Sequence, residues 1–190
     1  MNLPNLLTVI RMALVPVFLV FFYMGKDGLQ LYSALAFAVF IIASLTDALD
    51  GYIARKRSLI TNFGKLMDPL ADKVLTTAAF IAFVGTGEIM PWMVIVILAR
   101  EFAITGLRGV AASEGVVIEA GSAGKFKTVT QIIALSLMLL GNAAGPNPAM
   151  QGFWAFVNVA GMACLWAAVI ITVYSGAEYI WKSRKLLNLK

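Results

Sequence analysis

The sequence predicts an all-α integral membrane protein with six transmembrane helices, and two observations lead to that prediction. Of the 190 residues, 61% are hydrophobic and only 13% are charged, whereas soluble domains carry about 25% charged residues. The chain also has room for roughly six spans of about 20 residues each, and six apolar runs can be placed along it. No soluble domain or internal repeat is visible, so we expect one membrane domain over residues 1–190.

The six predicted spans follow a short amphipathic segment at the N-terminus. A turn containing Asn62 and Gly64 is expected to reverse the chain between spans two and three. Pro69 fits the first turn of the third helix, where its missing N–H group removes no helical hydrogen bond. In chain order the spans are Leu7–Met24, Leu31–Leu49, Pro69–Val84, Met90–Val110, Val129–Leu140 and Phe153–Tyr174.

The basic residues predict the orientation, because loops rich in Lys and Arg stay in the cytoplasm. The loops Gly25–Gln30, Gly85–Glu88 and Gly141–Gln151 carry one basic residue between them, Lys26. Both termini are therefore expected to be cytoplasmic, and the net charge of +5 suits anionic lipid head groups rather than nucleic acid. The basic residues on the cytoplasmic side are Arg55, Lys56, Arg57, Lys65, Arg108, Lys125, Lys127, Lys182, Arg184, Lys185 and Lys190.

Four of the ten acidic residues lie in one short stretch between spans two and three. Asp47 and Asp50 are three apart at the end of helix two, and Asp68 and Asp72 are four apart at the start of helix three. Either spacing places a pair on one helical face. Four converging carboxylates could not all ionise without a counter-charge. Helix caps or solvated surface charge are the alternative interpretation.

Divalent cations would supply that counter-charge. The chain has no histidine, so a metal must be held by oxygen ligands, which favour Mg²⁺, Mn²⁺ or Ca²⁺. A site with two such ions suits in-line phosphoryl displacement. Gly51, Ala54 and Gly64 leave space beside the carboxylates, and the planar fork of Arg55 can pair with a diphosphate. Lys56 and Arg57 are interpreted as a topology signal only.

These positions form the pattern D-x2-D-G-x2-A-R-x8-G-x3-D-x3-D, which resembles the signature of the CDP-alcohol phosphotransferase family. The resemblance implies a six-helix membrane fold, usually a homodimer, in a bacterial cytoplasmic membrane. It implies two divalent cations, Mg²⁺ or Mn²⁺, at the cytosolic face, and a CDP-linked donor whose phosphoryl group moves to an alcohol. By resemblance, the metal ligands are Asp47, Asp50, Asp68 and Asp72, the general base is Asp72, and the CDP contacts are Gly51, Ala54, Arg55 and Gly64.

A second basic group lies between spans four and five. Arg100 and Arg108 are eight residues apart and close to one helical face. Lys125 and Lys127 enter span five from the same side. Four cations beside a cavity indicate a second anion, which favours a phosphorylated acceptor alcohol. Alternatively, Arg100 simply pairs with Glu101 or with the carboxylates.

The blocks RE-x-A-I-T-G-L-R and G-K-x-K-T, with the opening NLPNLLTVIR, resemble the phosphatidylglycerophosphate synthase branch of the family. That resemblance implies transfer of a phosphatidyl group from CDP-diacylglycerol to sn-glycerol 3-phosphate, beside the membrane lipids. It assigns the acceptor phosphate to Arg100, Arg108, Lys125 and Lys127, with Thr105 as a further candidate. Asn5, Thr8 and Arg11, at three-residue steps, are candidates to line a phosphate site, or else a cap and an interfacial anchor.

Two other functions stay open from the sequence. An enzyme of the same family could use another acceptor, such as inositol phosphate. A cation transporter could line its pathway with the same carboxylates. Transporters of that kind commonly bind at the bilayer midplane between repeats, whereas these carboxylates cluster at one face of a chain without repeats.

Overall fold

The computed structural model describes the backbone of residues 3–57, 62–113, 122–144 and 151–187. Within these ranges, the side chains of residues 3–7, 47–57, 62–72, 112, 122, 123, 125 and 182–187 lie outside the description. The described backbone is helical apart from short turns. Its helices are α1 (Leu3–Lys26), α2 (Gln30–Arg57), α3 (Asn62–Gly85), α4 (Pro91–Ser113), α5 (Ser122–Ala143) and α6 (Gln151–Leu187).

The predicted number of helices is confirmed over the described residues, but several predicted ends are wrong. α2 does not stop near Leu49 but continues to Arg57. α3 begins at Asn62, so the expected turn around Asn62 and Gly64 is already helical and Pro69 lies inside the helix instead of in its first turn. Hydropathy marks where apolar residues end, whereas helix propensity allows Ala, Arg and Lys to continue a helix into polar surroundings.

Three described helical segments are long and apolar enough to cross a bilayer. They lie in α1, α5 and α6, at Thr8–Lys26, Phe126–Ala143 and Gln151–Trp181. The shorter apolar segments Gln30–Thr46 and Lys73–Gly85 belong to α2 and α3. The amphipathic start of the chain is not a separate element, because α1 begins at Leu3 and continues directly into its apolar segment.

The core is built around aromatic side chains that α1 shares with α2 and α3. The ring of Phe18 lies 5.9 Å from that of Phe40, centroid to centroid. Phe22 meets the ring of Phe83 edge-on at 5.1 Å. Phe18, Phe40 and Phe83 are fully buried. Edge-to-face and tilted contacts between such rings add specific attraction to simple packing, so α1 is fixed against both neighbouring helices.

Small residues let α5 and α6 approach each other closely. A Cβ atom added at Gly161 would lie 3.0 Å from Met138 Cγ and 3.2 Å from the Met138 backbone nitrogen. Ala134 of α5 and Ala168 of α6 are fully buried. Lipid tails are as apolar as the side chains, so helices in a bilayer associate through close van der Waals packing of this kind.

The two ends of the bundle carry different polar contacts. At one end, Lys26 at the end of α1 forms an ion pair with Glu88, which follows α3. The α1–α2 and α3–α4 connections therefore lie together, as the distribution of basic residues predicted. At the other end, polar side chains of α3, α4, α5 and α6 meet around Arg100.

Candidate active site

The predicted donor and metal residues lie on two helices that contact each other, α2 and α3. The helical backbone includes all eight positions of the sequence pattern. On α2 they follow steps of three and four residues, and on α3 steps of four, so each set shares one helical face. The set on α2, called the α2 stripe, is Asp47, Asp50, Gly51, Ala54 and Arg55. The set on α3, called the α3 stripe, is Gly64, Asp68 and Asp72.

This placement contradicts the interpretation of the carboxylates as helix caps. Asp47 and Asp50 lie within the last three turns of α2, which continues to Arg57. Asp68 and Asp72 lie beyond the first turn of α3. An N-cap residue directly precedes its helix, and none of the four occupies such a position. The side chains of both stripes lie outside the described residues.

The chemistry of the donor set fits divalent metal ions. Four Asp residues on two contacting helices offer carboxylate oxygens alone, which are ligands of hard cations such as Mg²⁺ and Mn²⁺. Among the side chains that the structure describes, no group of three or more His, Cys, Asp or Glu residues could hold a metal. The four Asp residues of the stripes stay the predicted metal ligands.

Arg100 of α4 and Lys127 of α5, two of the predicted acceptor residues, lie in one polar cluster with Glu101. Glu101 forms an ion pair with Lys127, and its Oε1 lies 3.8 Å from Arg100 Nη1. Arg100 Nη2 donates a hydrogen bond to Ser175 Oγ at 3.1 Å. The side chain of Lys127 is only 4% exposed, and that of Glu101 is 14% exposed. Arg100 therefore faces Glu101, as one of its two interpretations expects, and its phosphate-binding role stays a prediction.

Lys73 joins this cluster from α3, and the sequence analysis missed it. Its Nζ donates a hydrogen bond to Thr105 Oγ1 at 2.6 Å. Lys73 directly follows Asp72 in the chain, so it links the α3 stripe to the α4 residues. The positive charges of Arg100 and Lys73 interact electrostatically with the ammonium group of Lys127. A lysine beside the last Asp of the pattern was the available signal.

Arg108 meets α6 rather than α5. Its guanidinium carbon lies 5.6 Å from the centroid of the Tyr179 ring, within the range of a cation–π contact. Ser175 and Tyr179 are four residues apart, so both belong to one face of α6. Neither was predicted, although two polar side chains at helical spacing near the end of an apolar run could have indicated them.

Within the part of the chain that the structure describes, several hydrogen-bond donors of the cluster are buried without a partner. They are Nε of Arg100, Nε of Arg108 and the hydroxyl group of Tyr179. A buried donor without an acceptor costs about 1–3 kcal/mol. Together with the cations Arg100, Arg108, Lys127 and Lys73, they make a place where an added anion would be favoured.

Two of the three N-terminal candidates, Thr8 and Arg11, are buried. The side chains of Thr8 and Arg11 are each 3% exposed. Because both face the interior of the protein, the interfacial-anchor alternative does not describe them. Asn5 lies on α1 and Lys125 on α5, but their side chains are outside the described residues.

Comparison with known proteins identifies the family that the sequence indicated. The CDP-alcohol phosphatidyltransferase family matches residues 1–174. A protein of Bacillus subtilis named CDP-diacylglycerol–glycerol-3-phosphate 3-phosphatidyltransferase is 44% identical over 199 aligned residues, covering 98% of this chain and 99% of the relative. A protein of Rickettsia bellii with the same name is 37% identical, and the alignment covers 97% of this chain and 96% of the relative. One of Rickettsia typhi, also with that name, is 36% identical, and the alignment covers 94% of each chain.

Proposed function

The chain belongs to the CDP-alcohol phosphatidyltransferase family, and on that premise we propose that it transfers the phosphatidyl group of CDP-diacylglycerol to sn-glycerol 3-phosphate. The products are phosphatidylglycerophosphate and CMP, a step toward anionic phospholipids. The observation that carries the proposal is that relatives named for this reaction align with nearly the whole chain. The buried cation cluster of α4, α5 and α6 supports the choice of a phosphorylated acceptor.

The two stripes are the proposed donor side. Asp47, Asp50, Asp68 and Asp72 would hold two divalent cations, Mg²⁺ or Mn²⁺, which supply charge stabilisation to the phosphoryl group during transfer. The small residues Gly51, Ala54 and Gly64 would leave space beside these carboxylates, so that the CDP group can approach the helix backbone. Arg55 would pair with the diphosphate.

Asp72 is the proposed general base. It takes the proton of the primary hydroxyl group of glycerol 3-phosphate. The hydroxyl oxygen attacks the phosphatidyl phosphorus in line, and a new P–O bond forms. The bond between that phosphorus and the oxygen of CMP breaks, and CMP leaves with the electron pair. Holding both reactants in this geometry converts a bimolecular reaction into an effectively unimolecular one.

The cluster around Arg100 is the proposed acceptor side. Arg100, Arg108, Lys127 and Lys73 contribute four positive charges, and Glu101 offsets one of them through its contacts with Lys127 and Arg100. The net positive charge that remains would attract the phosphate group of the acceptor. Lys125 and Thr105 complete the proposed set. Thr105 is joined to the cluster by the hydrogen bond that it accepts from Lys73.

The active site is proposed to face the cytosol of a bacterium. The basic residues near it support that orientation, because such residues remain on the cytoplasmic side. Six spans, with both termini in the cytoplasm, fit the six helices and the apolar segments found in α1, α5 and α6. A homodimer is proposed from the family alone.

An acceptor panel tests the proposal. Purified protein in detergent with CDP-diacylglycerol and Mg²⁺ is given glycerol 3-phosphate, glycerol, inositol or inositol phosphate, and CMP and lipid products are measured. We expect product only with glycerol 3-phosphate. A lipid product with inositol phosphate and none with glycerol 3-phosphate would move the protein to the same-family alternative. Cation flux in liposomes without CMP release would favour the transporter.

A further inference from the structure

The end of α6 carries a tyrosine that no part of the sequence pattern includes. Tyr179 lies beneath the guanidinium group of Arg108, 5.6 Å from ring centroid to Cζ. Arg100 lies on the same helix as Arg108 and donates a hydrogen bond to Ser175, one turn before Tyr179 on α6. The three side chains therefore form one group, which joins α6 to the α4 residues proposed to bind phosphate.

This group shares an unmet hydrogen-bonding requirement. In the described part of the chain, the Tyr179 hydroxyl group is buried without a hydrogen-bond partner, and so are the Nε atoms of Arg100 and Arg108. All three can donate. Arg and Lys side chains have no acceptor to offer, so an oxygen-rich anion that enters the cluster would satisfy these donors.

We propose that Tyr179 is a substrate-binding residue that donates a hydrogen bond from its hydroxyl group to the phosphate of the acceptor alcohol, while its ring holds the Arg108 guanidinium in place. The proposal rests on the proposed function and adds a specificity-determining residue to it. A neutral phenol donor recognises a phosphate without adding charge to a site that already holds several cations. A rigid aromatic side chain also loses little conformational freedom on binding.

The position of Tyr179 favours the acceptor phosphate over the donor diphosphate. α6 packs against α5 and α4 in the described residues, whereas the pattern residues proposed to contact CDP lie on α2 and α3. Ser175, one turn before Tyr179, accepts a hydrogen bond from Arg100. The polar face of α6 thus faces the α4 cations.

The test uses a substitution that removes only the hydroxyl group. Tyr179→Phe keeps the ring beneath Arg108, and Tyr174→Phe makes the same change on the same helix at a side chain that is 67% exposed. We expect Tyr179→Phe to raise the KM for glycerol 3-phosphate about tenfold, as for a hydrogen bond to a charged group. The KM for CDP-diacylglycerol should stay unchanged, and the thermal midpoint should not fall, because the hydroxyl group that is removed is buried without a partner among the described residues. Tyr174→Phe should match the wild type throughout.

An unchanged acceptor KM in Tyr179→Phe would overturn the proposal, and so would an equal rise in the KM for both substrates or a lower kcat alone. A second variant, Tyr179→Phe with Arg108→Ala, should raise the acceptor KM by less than the product of the two single effects, because both residues would bind one phosphate. Independent, multiplicative effects would contradict a shared ligand. A wild-type protein inactive with glycerol 3-phosphate would instead refute the proposed function itself, which separates the two failures.

Discussion

Replacing Lys127 with methionine separates the structural role of this lysine from its proposed role in binding. Lys127 is 4% exposed and forms an ion pair with Glu101, which is itself 14% exposed. Removing the lysine leaves a buried carboxylate whose nearest described cation is Arg100, at 3.8 Å. Breaking a buried ion pair lowers the free energy of unfolding by about 3–5 kcal/mol. Because Arg100 still offers Glu101 a positive charge, we expect a loss at the lower end of that range, about 3 kcal/mol.

That loss is large enough to measure as a thermal shift. For a chain of this size, 1 kcal/mol corresponds to about 2–4 °C, so Lys127→Met should lower the Tm by about 6–12 °C. The double variant Lys127→Met with Glu101→Gln removes the stranded charge and should recover most of the Tm. It should not recover activity with glycerol 3-phosphate, because the proposed phosphate ligand is still missing.

The assay pairs thermal unfolding in detergent, followed by tryptophan fluorescence, with CMP release. Glu101→Gln alone provides the control for the effect of losing the carboxylate. A Lys127→Met protein with the wild-type Tm would refute the buried-pair reasoning. A double variant with wild-type KM for glycerol 3-phosphate would show that Lys127 serves Glu101 and does not bind substrate.

Three further predictions concern other parts of the molecule. Arg108→Ala should raise the KM for glycerol 3-phosphate at least tenfold with little change in the donor KM, measured by CMP release; an unchanged acceptor KM would detach Arg108 from the phosphate. Gly176→Val should raise the same KM several-fold, because a Cβ atom there would lie 3.1 Å from Arg100 Cγ; wild-type kinetics would show that Arg100 can shift without loss. Lys26→Ala breaks the partly exposed ion pair with Glu88 and should lower the free energy of unfolding by at most about 1 kcal/mol. Activity should stay at the wild-type level. A large loss of activity would contradict an active site at the opposite end of the bundle.

The sequence predicted the number of helices and the pattern on α2 and α3, but not where α2 ends. Asp50-Gly51 follows the last strongly apolar residues, so the apolar run ends there while the helix continues to Arg57. Pro69 was assigned to a first turn because proline commonly occupies that position, yet α3 begins at Asn62. Helix ends depend on propensity and tertiary contact as well as hydropathy, and neither is visible in a hydrophobic run.

The polar cluster around Arg100 was predicted only in part, for a different physical reason. Arg100 and Arg108 were predictable because they share one helix and one face. Lys73 and Tyr179 reach the same cluster from α3 and α6, and the hydrogen bond between Lys73 and Thr105 joins residues that are 32 positions apart. Such contacts depend on how the helices pack, which local spacing does not encode.

The proposed reaction is a metal-dependent phosphatidyl transfer at the Asp residues of α2 and α3. The direct measurement is CMP release from CDP-diacylglycerol and glycerol 3-phosphate, for the wild type and for Asp72→Asn, in Mg²⁺ and in EDTA. We predict release only for the wild type with Mg²⁺, and recovery of activity when Mg²⁺ is restored after EDTA. Release in EDTA, or substantial turnover by Asp72→Asn, would contradict the metal requirement or the base role of Asp72, respectively.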